Sequence, residues 1–201
     1  MGTSSRIQAG AVMGRKGEEK RQRIIDAANT LFYHKGFTAT SFADIADDCD
    51  VPKGNFYFYF RTKEELLDAV IRDRSERLAG LLDDLHKDIP DPRARLHRIA
   101  DVPFNDRHEV AQYGCPMGTL SAEIGKLTPF SQNALTSMYS LLLMSMHHCL
   151  AGMGLSHDDA DHNARHMLTR LQGAANLAQT FKDENWLEAE IADIHDWIDS
   201  L

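Results

Sequence analysis

Apolar residues recur along this chain at intervals of three and four, the spacing that lines one face of a helix. No alternating strand pattern or hairpin turn interrupts that rhythm. The expected fold is all-α. Ile24, Ile25, Ala28, Leu31 and Phe32 form the first stripe and predict a helix over about 18–34. Lys35-Gly36 closes it, with glycine just past the last turn. Ser41-Phe42-Ala43-Asp44 has the form of a capping box and opens a second helix. Asp50-Val51-Pro52 stops that helix within about two turns, because proline lacks the N–H that would continue it. A third short helix follows over 53–59. Thr62-Lys63-Glu64-Glu65 is a second capping box. It opens a long helix carrying Leu67, Val70, Ile71, Leu78, Leu81, Leu82 and Leu85, ending near Asp88.

Beyond Pro90 a helical body begins. One helix is expected over about 92–112, broken or kinked at Pro103, and Gly114-Cys115-Pro116 reads as a turn with Pro116 as the next helix's first residue. That helix ends near Gly125. The apolar stretch from Pro129 to Ala151 follows, ended by Gly152 and Gly154. Its densest part, 138–150, is broken by Ser140, Ser145, His147 and His148, too short and polar to cross a bilayer. The last two helices carry Met167, Leu168, Leu171, Ala174, Ala175, Ala178 and Phe181, then Leu187, Ile191, Ile194 and Ile198. No internal repeat is visible.

Charge adds an asymmetry. The 201-residue chain carries a net charge of −8, yet residues 1–63 hold ten Lys/Arg against seven Asp/Glu, and the rest twelve against twenty-three. A basic head on an acidic body suits a protein whose one end meets phosphates. Three cysteines without a close pair argue against a disulfide framework and for a reducing, cytoplasmic setting. Residues 1–14 are polar and rich in Gly and Ser. They are expected to be a disordered lead or an appended leader, with Met13 an alternative start. The expected domains are a helix-turn-helix head over 15–62 and a regulatory and dimerisation body over 63–201, with 63–88 connecting them.

Two short helices joined by a tight turn, behind a supporting helix, form a helix-turn-helix whose second member enters the DNA major groove. Here that member is Lys53-Gly54-Asn55-Phe56-Tyr57-Phe58-Tyr59-Phe60. Gly54 removes a side chain where helix and DNA approach closely. Lys53 and Asn55 can bond base edges or phosphate, and Tyr57 and Tyr59 present hydroxyls to phosphate oxygens. Phe56 is expected on a thymine methyl, and Phe58 and Phe60 in the head's core. Thr40 and Ser41, and Thr62 and Lys63, stand where helix N-termini attract phosphate.

The run from Phe37 through Ser41 and Asp44-Ile45-Ala46, then Val51 through Leu66, resembles the DNA-binding signature of the TetR repressor family. The resemblance covers about 21–70. It implies that the positions matching Thr40, Tyr57, Tyr59 and Lys63 hold phosphate and that Lys53, Asn55 and Phe56 lie on the recognition helix. Two positions depart from the family habit: Asp50 stands where glycine is common in the turn, and Tyr59 where histidine is common. Aspartate tolerates left-handed backbone better than most residues, so the turn is expected to survive.

The resemblance also implies a homodimer through the last two helices, a double-stranded near-palindromic operator, and a small-molecule effector bound in the body. Gly173, Ala174, Ala175 and Ala178 permit close helix approach, and Trp186 and Trp197 can anchor an interface. The same small residues also suit packing within one subunit. Candidate effector-lining residues are Phe104, Tyr113, Cys115, Met117, Leu120, Met138, Leu142 and Cys149, with Gln172 and Asn176 as polar groups one turn apart.

Cys115, just before Pro116, stands where a helix dipole favours thiolate. Gly114 through Glu123 looks like a segment of the family branch that includes repressors of N-ethylmaleimide reductase genes, which implies sensing of electrophiles through cysteine. The expected function is a ligand-responsive repressor released from its operator by a small apolar or electrophilic effector. One alternative is a metal-sensing regulator using the cluster from His157 to His166, where His162 and His166 share a helix face. The other is an enzyme with Cys115 as nucleophile, although no base and orienting group can be read beside it. Nothing in the chain calls for a cofactor or a membrane.

Overall fold

The computed structural model describes residues 14–124 and 129–201, with the side chains of Lys53, Phe104 and residues 129–132 left aside. Of the expected lead over 1–14, residues 1–13 therefore lie outside the described residues. Among the described residues the chain forms helices and no strand. In chain order they are α1 (Arg15–Lys35), α2 (Phe42–Asp48), α3 (Lys53–Tyr59), α4 (Lys63–Asp88), α5 (Pro92–Asn105), α6 (Arg107–Tyr113), α7 (Pro116–Ile124), α8 (Pro129–Gly152), α9 (His157–Phe181) and α10 (Asn185–Ser200).

Local chemistry sets the boundaries in the head. At α2 the capping box is complete: Ser41 accepts from the Asp44 N–H, and Asp44 accepts from the Ser41 N–H. At α4 the Thr62 hydroxyl accepts from the Glu65 N–H, but the Glu65 carboxylate reaches one residue further back, to the Arg61 N–H at 2.8 Å. Asp50 stands in the turn between α2 and α3 with φ of 51°, the left-handed conformation that glycine usually supplies. The expected break at Pro103 falls later. Pro103 lies inside α5, and the chain turns only at Asp106 before α6 begins.

Two apolar clusters divide the molecule. The first gathers Ile24, Ile25, Ala28 and Phe32 of α1, Ile45 of α2, Phe56 of α3, and Leu66, Leu67, Val70 and Ile71 of α4. Leu120 and Ile124 of α7 and Leu135 and Met138 of α8 join it, so the head is cored partly by the body. The second holds Leu82 of α4 with the inner faces of α5, α6, α8, α9 and α10. Each fully buried large side chain contributes about 1.5–3 kcal/mol relative to exposure. The helix α4 runs through both clusters and mechanically joins them.

Polar bonds stitch α1 to the body. The Tyr33 hydroxyl donates to the Gly114 carbonyl at 2.9 Å, and the Phe37 N–H to Glu123 at 2.6 Å. The Gln22 amide donates to Asp73 at 2.8 Å. Gly114 has φ of 86°, and a Cβ there would meet Gln179 and Thr119 side-chain atoms at 2.5 Å, so this corner admits only glycine.

Candidate nucleic-acid interface and effector site

Helix α3 turns two aromatic rings inward and two outward. Phe56 and Phe60, four residues apart, are each 1% exposed. Tyr57 is 63% and Phe58 74% exposed. This reverses two expectations. Phe56 packs on Phe42 with ring centroids 4.7 Å apart and belongs to the head core, so it cannot reach a thymine methyl. Phe58 lies on the opposite side and plugs nothing. At 3.6 residues per turn, the buried pair at 56 and 60 forces position 58 outward. The periodicity rule applied within this one short helix could have found it. Gly54 and Asn55 are exposed on the same helix, and Tyr59 is half-buried against the core. Lys53, as a side chain, lies outside the described residues.

Two further expectations need correction. Thr40 is 1% exposed, and its hydroxyl donates to the carbonyls of Gly36 at 2.8 Å and Leu31 at 3.3 Å. It closes the α1–α2 turn and has no access to phosphate. Lys63 spends its ammonium on the carbonyls of Phe37 (2.9 Å), Thr38 (3.3 Å) and Thr40 (3.1 Å) and stands 4.5 Å over the Phe37 ring. An ammonium has three N–H donors, and all three are engaged within the protein. Ser41 is exposed, but its N–H and hydroxyl both serve the Asp44 carboxylate. These bonds hold that carboxyl below its ordinary range. Thr62 is exposed, and since its oxygen only accepts, its hydroxyl hydrogen remains for an outside acceptor.

The expected effector residues fall in several places. Cys115 is half-buried at the start of α7, and its carbonyl takes the Thr119 N–H at 2.9 Å, the first bond of that helix. Its sulfur accepts from the Gln172 amide at 3.4 Å, and the Tyr139 hydroxyl donates to the Gln172 oxygen at 3.3 Å. Burial pushes the Tyr139 phenol up to about 12. The Arg74 guanidinium, from α4, donates to the Pro116 carbonyl at 2.6 Å, next to the thiol, and to the Asn29 side chain and carbonyl on α1. Burial lowers Arg74 to about 10, and the opposing charges of Cys115 and Tyr33 raise it in part. It remains a cation at neutral pH. Sequence reading found Cys115 and Gln172 but missed Arg74 and Tyr139, because only the fold brings α4 and α8 to the thiol.

The other residues lie elsewhere. Tyr113 packs its ring against His34 at a tilt of 35°, centroids 4.4 Å apart, beside a cleft of about 270 Å³ between α1 and the body. Met117, Leu120 and Met138 pack into the head-side cluster. Leu142 and Cys149 belong to the second cluster. Cys149 lies ten residues beyond Tyr139 on α8, roughly 15 Å along the helix, so it does not share the Cys115 site. Burial pushes the thiols of both Cys149 and Cys49 up. Asn176, one turn further along α9 than the half-buried Gln172, is exposed. Phe104, as a side chain, lies outside the described residues.

The histidines do not gather as expected for a metal. His157 meets His147 at 3.1 Å, whereas His166 packs on Trp197 at 5.5 Å between centroids. Among the described residues no three His, Cys, Asp or Glu side chains converge as a cation site. No described helix is long and apolar enough to cross a membrane.

On the outer side of α9, Gly173, Leu177 and Phe181 follow one another at intervals of four, all exposed. Phe181 stacks on Trp186 of α10, with rings 17° from parallel. Trp197 instead packs partly into the body's cluster.

The family described as bacterial regulatory proteins, tetR family, matches residues 24–70. A helix-turn-helix-type transcriptional regulator in the lacX 3′ region of Lactococcus lactis subsp. lactis is 31% identical over 173 residues, covering 84% of this chain and 88% of that protein. A TetR transcriptional regulator from Legionella pneumophila superposes with a TM-score of 0.79 over 95% of this chain and 98% of its own, at 21% identity. The reduced form of NemR from E. coli does so with a TM-score of 0.76 over 88% and 95%, also at 21% identity. At these identities the two structures speak for the fold alone.

Proposed function

The chain belongs to the TetR family of transcriptional regulators, and from that premise we propose that it is a homodimeric repressor released from a near-palindromic operator by an electrophilic effector reacting at Cys115. Its family consists of regulators rather than enzymes, so Cys115 is read as a trigger and not as a catalytic nucleophile. The heads meet DNA through Gly54, Asn55 and Tyr57 of α3, with Thr62 toward the phosphates. The exposed apolar stripe of Gly173, Leu177 and Phe181 pairs with its mate across the dimer axis.

The observation that carries the trigger is the setting of Cys115. Of the three cysteines it alone is not buried. Its sulfur accepts from Gln172, and the Arg74 guanidinium donates to the carbonyl of the next residue, Pro116. Arg74 in turn holds Asn29 of the head and the Pro116 carbonyl together. A group added at the sulfur therefore presses on the joint between head and body. An open cleft of about 620 Å³ between α4 and α8, lined by Leu82, Leu141 and Met144, supports a second reading in which an apolar effector binds without reacting.

The test begins with selection of bound duplexes from a random DNA pool, which is expected to return a near-palindrome. The wild type and Cys115→Ser are then bound to that duplex and treated with iodoacetamide. Alkylation forms an S–C bond and releases iodide and a proton. Release of the wild type but not of Cys115→Ser is expected. Equal release of both, or of neither, sinks the cysteine trigger.

A further inference from the structure

An exposed phenylalanine by itself says little, since folded proteins show much apolar surface. The position of Phe58 says more. Phe56 and Phe60 fix the inward side of α3, and Phe58 stands two residues from each, diametrically outward. Gly54, one turn earlier, lies on the same outward line, and apart from its chain neighbours and the backbone of its own helix no atom lies within 4 Å of where its Cβ would be. The outer line of α3 is thus bare at one turn and carries a single ring at the next, flanked by Asn55 and the exposed Tyr57. The Phe58 ring stands edge-on to Tyr59, centroids 5.3 Å apart and planes at 86°. That contact steadies the ring while 74% of the residue stays in solvent.

From this geometry we infer that Phe58 is a specificity residue that reads the 5-methyl group of a thymine in each operator half-site. The inference rests on the proposal that α3 enters the major groove. A phenyl ring can neither donate nor accept a conventional hydrogen bond, so it carries no preference among most base edges. The one apolar group that the major groove presents is the thymine methyl. The bare backbone at Gly54 lets the helix approach until a ring one turn later reaches base depth. Phe56, the other apolar candidate on this helix, is sealed in the core.

The test uses the full-length protein and the duplex it selects. Each thymine is replaced in turn by deoxyuridine, which removes the methyl and leaves every hydrogen-bonding group in place. Affinity is read by fluorescence anisotropy for the wild type and for Phe58→Ala. For the wild type, one position per half-site is expected to weaken binding about fourfold, and both half-sites together about fifteenfold. Phe58→Ala binds the thymine duplex more weakly, loses that penalty to within about twofold, and keeps the wild-type salt slope, because no phosphate contact has gone. Its melting temperature stays near that of the wild type, since the ring is outside the core. Indifference of the wild type to every deoxyuridine, or an undiminished penalty in Phe58→Ala, overturns the assignment while leaving the operator intact. Failure to select any operator removes the DNA-binding proposal and this inference with it.

Discussion

Replacing Lys63 with methionine separates two roles that a lysine at the mouth of a DNA-binding head can play. The substitution keeps an unbranched apolar stem and removes the ammonium. In the structure that ammonium donates to the carbonyls of Phe37, Thr38 and Thr40 and sits over the Phe37 ring. Hydrogen bonds from a charged donor contribute about 1.5–3 kcal/mol each when shielded. Two of the three are only partly buried and the third is exposed, so water can replace part of what is lost. The cation–ring contact adds about 0.5–1 kcal/mol. The expected loss is about 2–3 kcal/mol of stability, read as a lower urea midpoint at unchanged m-value. Had Lys63 instead gripped a phosphate, its loss would flatten the slope of log affinity against log salt by about 0.9 for each head. At temperatures where the variant is folded, that slope is expected to match the wild type. An unchanged midpoint with a flattened slope refutes the reading and returns Lys63 to the phosphates.

Two other outcomes follow from the same head. Gly54→Ala places a methyl where nothing beyond its chain neighbours and its own helix's backbone lies within 4 Å, so the free protein is expected to gain up to about 1 kcal/mol from helix propensity. Operator affinity is expected to fall tenfold or more as base contacts are pushed away; calorimetry and anisotropy read the two, and unchanged affinity would show that α3 does not approach DNA along this line. Bonds from Ser41 hold the Asp44 carboxyl below its ordinary value, so it stabilises the fold above the unfolded pKa and loses that contribution as pH falls through the folded one. Asp44→Asn should therefore lower the urea midpoint at pH 7 and shrink the drop between pH 7 and pH 3; an equal drop in both proteins would place the acid sensitivity elsewhere.

The helices were legible because their signals are local. Ser41 and Asp44 are three residues apart, and the stripe from Ile24 to Phe32 repeats within one element. The left-handed turn at Asp50 was legible for the same reason. Apart from Phe56 and Phe58, which the helical period within α3 could have sorted, what failed needed distance information. Thr40 and Lys63 carry the right groups for phosphate, yet the α1–α2 turn presents bare carbonyls that take those groups first. Residue type gives what a side chain can bond, and only the fold gives which unpaired partner is nearest. The effector set suffered likewise. Met117, Leu120, Met138 and Cys149 are apolar enough for a pocket wall, but two different clusters absorb them. Cys115 and Gln172 meet although 57 positions apart, because α7 begins against α9.

The strength of the joint at Cys115 limits how a trigger there can work. Moving a two-state protein from 99:1 to 1:99 needs about 5.5 kcal/mol of differential binding. One charge-assisted bond, such as Arg74 to the Pro116 carbonyl, supplies about 1.5–3 kcal/mol. Breaking it alone is too little. The helix that begins beside Cys115 does more than receive Arg74, however. Its Leu120 and Ile124 are buried in the cluster that cores the head, and its Glu123 takes the Phe37 N–H at the turn that Lys63 also holds. Displacing α7 as a unit disturbs these contacts together, and their sum reaches the required scale. On the proposed trigger, the switch would therefore be the seating of α7 between thiol and head, with Arg74 as one of its fastenings.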